Sequence, residues 1–499
     1  MERQSGVLNP IFSLPSKYGI GDFGVEAKNF IDFLAKANQK VWQILPLVQT
    51  GFGSSPYSSV SAESFNPYFI SLDELYAQGL IKKADLKRAK YESKYIDYDY
   101  LFKTRILLLR KAYKKFNKRS NEFKAFKKQK KFLDYALFMA IKSKNDDAPF
   151  YKWEDGLKFR DKNALKDFYR ENRNEVNFWL FIQFEAQREW FLLKSYANEK
   201  GIKIMGDMPL YVALDSVDVW TNAELFKLNA DFSPKKVAGV PPDYFSKTGQ
   251  LWGNPVYDYD VHKKTKFKWW VNRVKNALDV YDLVRIDHFR GLDRYYEIEA
   301  NEKTAEVGKW VKVPSDELFS ALEKKVDKSR IVAEDLGILD DGVWALLKKV
   351  GCPGMKILQF AFDSGKDNVY LPENITENSI CYTGTHDNDT LIGYLQKLND
   401  GELSWVKKNV QDSLRQLKIR KKLTDIKSVA NAIISLGFKC KSNLFVIPMT
   451  DLLLKDTAYR INEPGTVKPQ NWAVRTDKSF YTNSAVKRLK TLTEKYQRV

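Results

Sequence analysis

The 499 residues carry 82 Lys and Arg against 63 Asp and Glu, a formal charge of +19, with 44% hydrophobic and 14% aromatic side chains. That much apolar material builds a large core and excludes a disordered chain. The length calls for several domains or one large fold carrying insertions.

The charge raises nucleic acid or an anionic surface as a partner. Its densest stretch, Lys111 to Lys131, sets Tyr113, Phe116, Phe123 and Phe126 among lysines at spacings of three and seven. That is the pattern of a solvated amphipathic helix, and no nucleic-acid module accompanies it, so no nucleic-acid partner is expected. No apolar run is long enough to span a bilayer, and Met1 to Pro10 lacks the apolar segment of a signal peptide. Cys352, Cys381 and Cys440 are odd in number and widely spaced, which suits small buried residues in a reducing compartment. Cytoplasmic residence, no membrane partner and a monomer or weak homodimer are the expectations.

In chain order, eight short apolar runs read as strands: Gly6 to Phe12, Val41 to Leu47, Ile202 to Tyr211, Leu283 to His288, Ile331 to Glu334, Ile357 to Phe360, Ile380 to Thr383 and Leu444 to Pro448. Helical spacing of Ala27, Phe30, Ile31 and Leu34 marks a crossover between the first two. Eight such units predict an α/β fold, a (β/α)8 TIM barrel. A barrel needs only about 250 residues. The surplus falls into two insertions, a mostly helical, Lys-rich one over about 48–200 and a loop-rich one over about 212–282. Insertions that follow strands emerge at the C-terminal face, where they would wall a cleft within a single catalytic domain over 1–499.

Four predicted strand ends carry acids: Asp207, Asp287, Glu334 and Asp387. One acid after a strand reads as a cap or a solvated loop residue, but the mouth of one barrel would gather all four. Arg285 and Asp287 lie two apart and share a face of their strand, so the cation favours an ionised carboxylate suited to nucleophilic attack. Glu334 follows the apolar run Ile331-Val332-Ala333, surroundings that raise a carboxyl pKa toward use as an acid. Asp335 points the other way and reads as a cap or a supporting hydrogen-bond acceptor. A charged and a protonated carboxyl in one pocket are what glycoside cleavage requires, about 5 to 5.5 Å apart in the retaining form. His288 and His386, two of only three histidines, adjoin these acids and could bond sugar hydroxyls.

These segments resemble the strand-end motifs of the α-amylase clan. The wordings of 285–289, 333–337 and 384–389 resemble the amylomaltases, or 4-α-glucanotransferases, as do residues 6–24, 54–68, 239–258 and 462–472. The resemblance implies that Asp287 is the nucleophile, Glu334 the general acid and base, and Asp387 the stabiliser of the transition state. It implies supporting contacts from Asp207, Arg285, His288 and His386, and weaker subsite contacts from Asp363, Asn462 and Trp472. After Asp207 the chain runs Met208-Pro209-Leu210-Tyr211-Val212 and lacks the Asn-His pair of the wider clan, as amylomaltases do. No acid spacing of the EF-hand kind appears, so no metal or cofactor is expected.

Exposed aromatics cover the apolar faces of sugar rings, and prolines stiffen the loop that carries Tyr244, Phe245 and Trp252. Tyr57 and Tyr68 would stack on glucan or pack. The implied activity transfers a segment of an α-1,4-glucan to the 4-hydroxyl of another glucan or of glucose, with maltooligosaccharides as substrates. An α-glucan hydrolase using the same acids is the alternative, and a non-catalytic glucan-binding protein would lack at least one acid.

Overall fold

The computed structural model describes residues 2–242, 246–337 and 339–499. Twelve strands are described: β1 (Gln4–Leu8), β2 (Val41–Gln43), β3 (Lys203–Met208), β4 (Lys236–Val240), β5 (Gln250–Pro255), β6 (Leu283–Ile286), β7 (Arg294–Glu299), β8 (Lys309–Lys312), β9 (Ile331–Ala333), β10 (Gly354–Ile357), β11 (Ser379–Tyr382) and β12 (Leu444–Pro448). Eight form one parallel sheet in the order β10-β11-β12-β1-β2-β3-β6-β9. The Ala333 N–H donates to the Pro353 carbonyl at 3.0 Å, which brings the two edges together and closes a (β/α)8 barrel.

Strands buried on both faces read as continuous apolar runs, and β12, Leu-Phe-Val-Ile-Pro, is buried throughout. The crossover helix Val25–Lys36 turns Ala27, Phe30, Ile31, Phe33 and Leu34 inward, where Phe30 meets the Trp42 ring of β2. At the base of the barrel Arg498, fully buried, donates to the carbonyls of Gln4, Phe438, Cys440 and Ser442 and so ties β1 to β12.

One strand differs from expectation. Ile357 to Phe360 reads as a strand, yet β10 is Gly354–Ile357 and Leu358–Phe360 forms a 3-10 turn. Gly354 looks like a loop residue, and Lys356 interrupts the apolar run. Their presence in a strand has a local cause. Asp335 accepts the Met355 N–H at 2.5 Å, and a Cβ on residue 354 would lie 2.3 Å from Asp335 Oδ2. Only glycine lets the buried Asp335 carboxylate reach across from the end of β9 to β10.

Between β2 and β3 the long helices are Tyr98–Lys115, Lys130–Lys144, Lys162–Glu171 and Arg173–Glu199. The last of these seats the fully buried Trp190 against Phe23 and Tyr281 and donates its indole N–H to the Val280 carbonyl. Burying one such ring contributes roughly 2–3 kcal/mol. The basic run is two helices, Tyr98–Lys115 and Asn121–Phe126, because the Ser120 hydroxyl caps the second and restarts the chain after Phe116. Tyr113, Phe123 and Phe126 face inward while the lysines, apart from the half-buried Lys127 and Lys131, stay exposed.

Beyond β3 the chain builds a separate antiparallel sheet in the order β5-β4-β7-β8. Alternation is hard to see there, since Gly239, Gly253 and Pro255 stand inside its strands, and β7 and β8 arrive from the loop after β6. This sheet holds Trp252 beside the mouth of the barrel. Among the described residues no helix is long and apolar enough to cross a membrane.

Candidate active site

Asp207 on β3 and Arg285 on β6 are direct cross-strand partners. The buried Arg285 donates from Nη1 to Asp207 Oδ2 at 2.5 Å and from Nη2 to Asp287 Oδ1 at 2.8 Å. One planar guanidinium thus bridges two carboxylates, a geometry that lysine cannot reproduce. Burial opposes its charge, yet Asp207 and Asp287 together hold its pKa above the ordinary range. For Asp207 burial wins, and its pKa is raised despite the adjacent Arg285.

Glu334 follows β9. Its N–H donates to the Ile286 carbonyl and its carbonyl accepts from the Phe289 N–H, both at 3.0 Å, which fixes it beside the end of β6. Its carboxyl accepts from the His288 N–H at 2.7 Å and from the Leu336 N–H at 2.9 Å. His288 stands at φ 48°, a left-handed conformation that costs a non-glycine residue energy. Burial pushes the Glu334 pKa up to about 8; Arg285 pulls against this and the nearby Asp287 reinforces it. An acid that stays protonated at neutral pH therefore stands near a carboxylate held by arginine.

Asp387 lies beyond β11, with its carboxylate 41% exposed. Asn462 Nδ2 donates to its Oδ1 at 2.6 Å, and His386 Nε2 lies 3.4 Å from its Oδ2. The Tyr57 ring stacks on buried His386 at 5.2 Å and 11°, and Trp472 closes on the same ring at 5.8 Å. The Tyr57 hydroxyl donates to Asp207 Oδ2 at 2.8 Å. Tyr57 therefore joins the Asp207–Arg285–Asp287 group to the His386–Asp387 pair.

On the other side Trp252, 37% exposed, meets the His288 ring edge to face at 4.9 Å. Burial drops the His288 pKa to about 4, so this imidazole is neutral and its Nε2, buried with no hydrogen-bond partner among the described residues, is left to accept or donate.

Asp207, Arg285, Asp287, His288, Glu334, His386, Asp387, Asn462, Tyr57, Trp252 and Trp472 are thus linked into one constellation. Asp363 is not: it is exposed on the loop after β10, where it accepts from Asn368 at 3.4 Å. Tyr68 lies in the field of Arg105, Asp99 and Asp147, apart from the acids. Tyr244 and Phe245 lie outside the described residues. Among the described residues no cluster of three or more His, Cys, Asp or Glu is placed to hold a metal ion.

Two contributors escape a reading of strand-end acids. Tyr211 stands 6.5 Å from the His288 ring and 6.0 Å from Trp252, at the end of the β3 segment. Arg460 donates to the Asp387 and Asn462 carbonyls. The only sequence signal for Arg460 is a lone charge two residues before Asn462.

The sequence matches the model of a 4-alpha-glucanotransferase family over residues 9–480. The chain belongs to this 4-alpha-glucanotransferase family. A 4-alpha-glucanotransferase of Clostridium butyricum is 43% identical over 98% of this chain and 99% of its own length. One from Thermus thermophilus is 39% identical over 95% of each. An amylomaltase of Streptococcus agalactiae, solved with acarbose, is 39% identical, covers both chains fully and superposes with a TM-score of 0.94. The amylomaltase of Corynebacterium glutamicum, 18% identical, shares the fold of this 4-alpha-glucanotransferase family member with a TM-score of 0.81 over 98% of this chain and 75% of its own.

Proposed function

We infer that this chain transfers segments of α-1,4-glucan to the 4-hydroxyl of an acceptor glucan or of glucose by a retaining double displacement. The observation that carries the reading is the pairing of a buried carboxyl of raised pKa, Glu334, with a carboxylate gripped by buried Arg285, Asp287, in a member of a glucanotransferase family.

In the first half Asp287 Oδ attacks the anomeric carbon as the glycosidic C–O bond breaks, and Glu334 gives its proton to the departing oxygen. The product is a β-glucosyl ester of Asp287 and a glucan with a free 4-hydroxyl. In the second half Glu334, now a carboxylate, removes the proton of an incoming 4-hydroxyl, whose oxygen attacks the anomeric carbon and releases Asp287. Two inversions retain the α configuration. Asp387 and His386 bond the sugar hydroxyls as positive charge develops, and Asp207 and Arg285 hold the nucleophile. Tyr57, Trp252 and Asn462 contact the same sugar. The insertions over about 48–200 and 212–282 wall the cleft, and Tyr244, Phe245 and Trp252 exclude water so that transfer outruns hydrolysis. Maltooligosaccharides are the substrates, and the chain works in the cytoplasm as a monomer or weak homodimer.

Incubation with maltotriose tests the reading. Glucose together with maltopentaose and longer oligomers, at a constant number of reducing ends, is the expected result. A steady rise in reducing ends with only shorter sugars overturns it. Asp287→Asn is expected to abolish transfer while the protein stays folded, and an Asp287→Asn enzyme that disproportionates maltotriose at the wild-type rate refutes the assignment of the nucleophile.

A further inference from the structure

The third acid is held in a different way from the other two. Asp287 is gripped by Arg285 of its own strand β6, and Glu334 by the His288 N–H at the end of the adjoining strand. Asp387 sits past the end of β11, and beyond the adjacent Thr385 and His386 its partners are Arg460 and Asn462, more than seventy positions later. Asn462 reaches both residues of the pair: its N–H donates to the His386 carbonyl at 3.1 Å and its carboxamide to Asp387 Oδ1 at 2.6 Å.

Asn462 is aimed in turn by Arg460. The guanidinium donates from Nε to the Asn462 carbonyl at 2.7 Å and from Nη2 to the Asp387 carbonyl at 2.8 Å. Both of these bonds go to main-chain carbonyls, one on each segment, so the planar fork sets the spacing of two backbones. The same segment carries Trp472, whose N–H donates to the Ile461 carbonyl and whose ring closes on Tyr57 and His386.

We propose that Arg460 is a positioning residue of the reaction: it clamps the Asp387 and Asn462 backbones so that the Asp387 carboxylate faces the sugar at the reacting bond. This rests on the role given above to Asp387. The acid is 41% exposed, and apart from the adjacent His386 its side chain is held by Asn462 of the later segment. Without the clamp its carboxylate samples several orientations, which costs rate far more than affinity, because the stabilised charge exists only in the transition state.

The test is steady-state maltotriose disproportionation with Arg460→Met, Arg460→Lys and Arg460→Ala. Arg460→Met is expected to lower kcat roughly tenfold to a hundredfold with KM within about twofold. Arg460→Lys, whose single ammonium reaches one carbonyl well, recovers part of the loss. Free guanidinium ion restores part of the activity of Arg460→Ala by remaking the two carbonyl bonds. On an Asp387→Asn background, Arg460→Met costs less than about twofold more, because the two act as a unit.

Arg460→Met with kcat within twofold of wild type overturns the proposal. Equal fractional losses on both backgrounds, without guanidinium rescue, overturn it as well and leave Arg460 a stabiliser of the loop. If Arg460→Met does not fold, the Lys variant and the rescue decide alone. Should Asp387→Asn keep wild-type kcat, it is the role of Asp387 that fails, a result separate from any obtained with Arg460.

Discussion

The raised pKa of Glu334 makes a prediction that needs no substrate. Burial moves this carboxyl from 4.5 to about 8, so ionising it costs the folded protein up to about 5 kcal/mol. The side chain keeps some contact with the cleft, which trims that figure to about 3–5 kcal/mol. The folded pKa lies above the unfolded one, so between about pH 4.5 and 8 the folded state binds more protons. Wild-type stability therefore falls through that window by up to about 1.4 kcal/mol per pH unit, and the loss is complete above about pH 8. Glu334→Gln cannot ionise and loses this dependence. The amide also presents one acceptor to two N–H donors, those of His288 and Leu336, for a pH-independent cost of about 1–3 kcal/mol. The offset shifts the curve without tilting it. Urea unfolding of both proteins at pH 5, 6, 7, 8 and 9 should show the difference, Gln variant minus wild type, rising from pH 5 to 8 and then levelling. Parallel curves across the whole range would refute the buried-acid account of Glu334.

For the wild-type enzyme, kcat/KM on maltotriose should decline above about pH 8, as the protonated fraction of Glu334 in the free enzyme is lost. Tyr57→Phe removes the 2.8 Å bond to Asp207 and keeps the ring on His386; a loss of about 1 kcal/mol, roughly fivefold in kcat/KM, is expected from initial rates. Trp252→Ala should raise KM several-fold with kcat nearly unchanged and the urea midpoint within about 0.5 kcal/mol of wild type, since the ring is 37% exposed. Gly354→Ala forces a methyl against Asp335 Oδ2, and a loss of roughly 1–3 kcal/mol should appear as a lowered urea midpoint.

The barrel was legible because strands buried on both faces leave short, largely apolar runs, and seven of the eight were found where such runs lie. The eighth was displaced by three residues because Gly354 and Lys356 answer to Asp335, a partner that strand periodicity does not register. Arg285 and Asp287 could be paired from their spacing, and the apolar approach to Glu334 forecast its raised pKa. The link from Arg285 to Asp207 depends on register between strands 78 residues apart, which no local pattern carries. The antiparallel sheet was hidden by glycines within its strands and by the distance between its halves. Asp363, grouped with the site by resemblance of motif, has no bond to the acids in the described structure.

The pairing of β1 with β12 has a consequence for biosynthesis. Gln4 to Leu8 find their partners at Leu444 to Pro448, so a chain emerging from the ribosome holds one edge of the growing sheet unpaired until more than four hundred further residues have been made. β2 can pair with β1 on the other side and β3 with β2, but the buried residues of β1 stay uncovered on the open edge, a template for strands of other chains. Slow translation beyond β3 lengthens that exposure, and a chain released before residue 444 leaves it permanent.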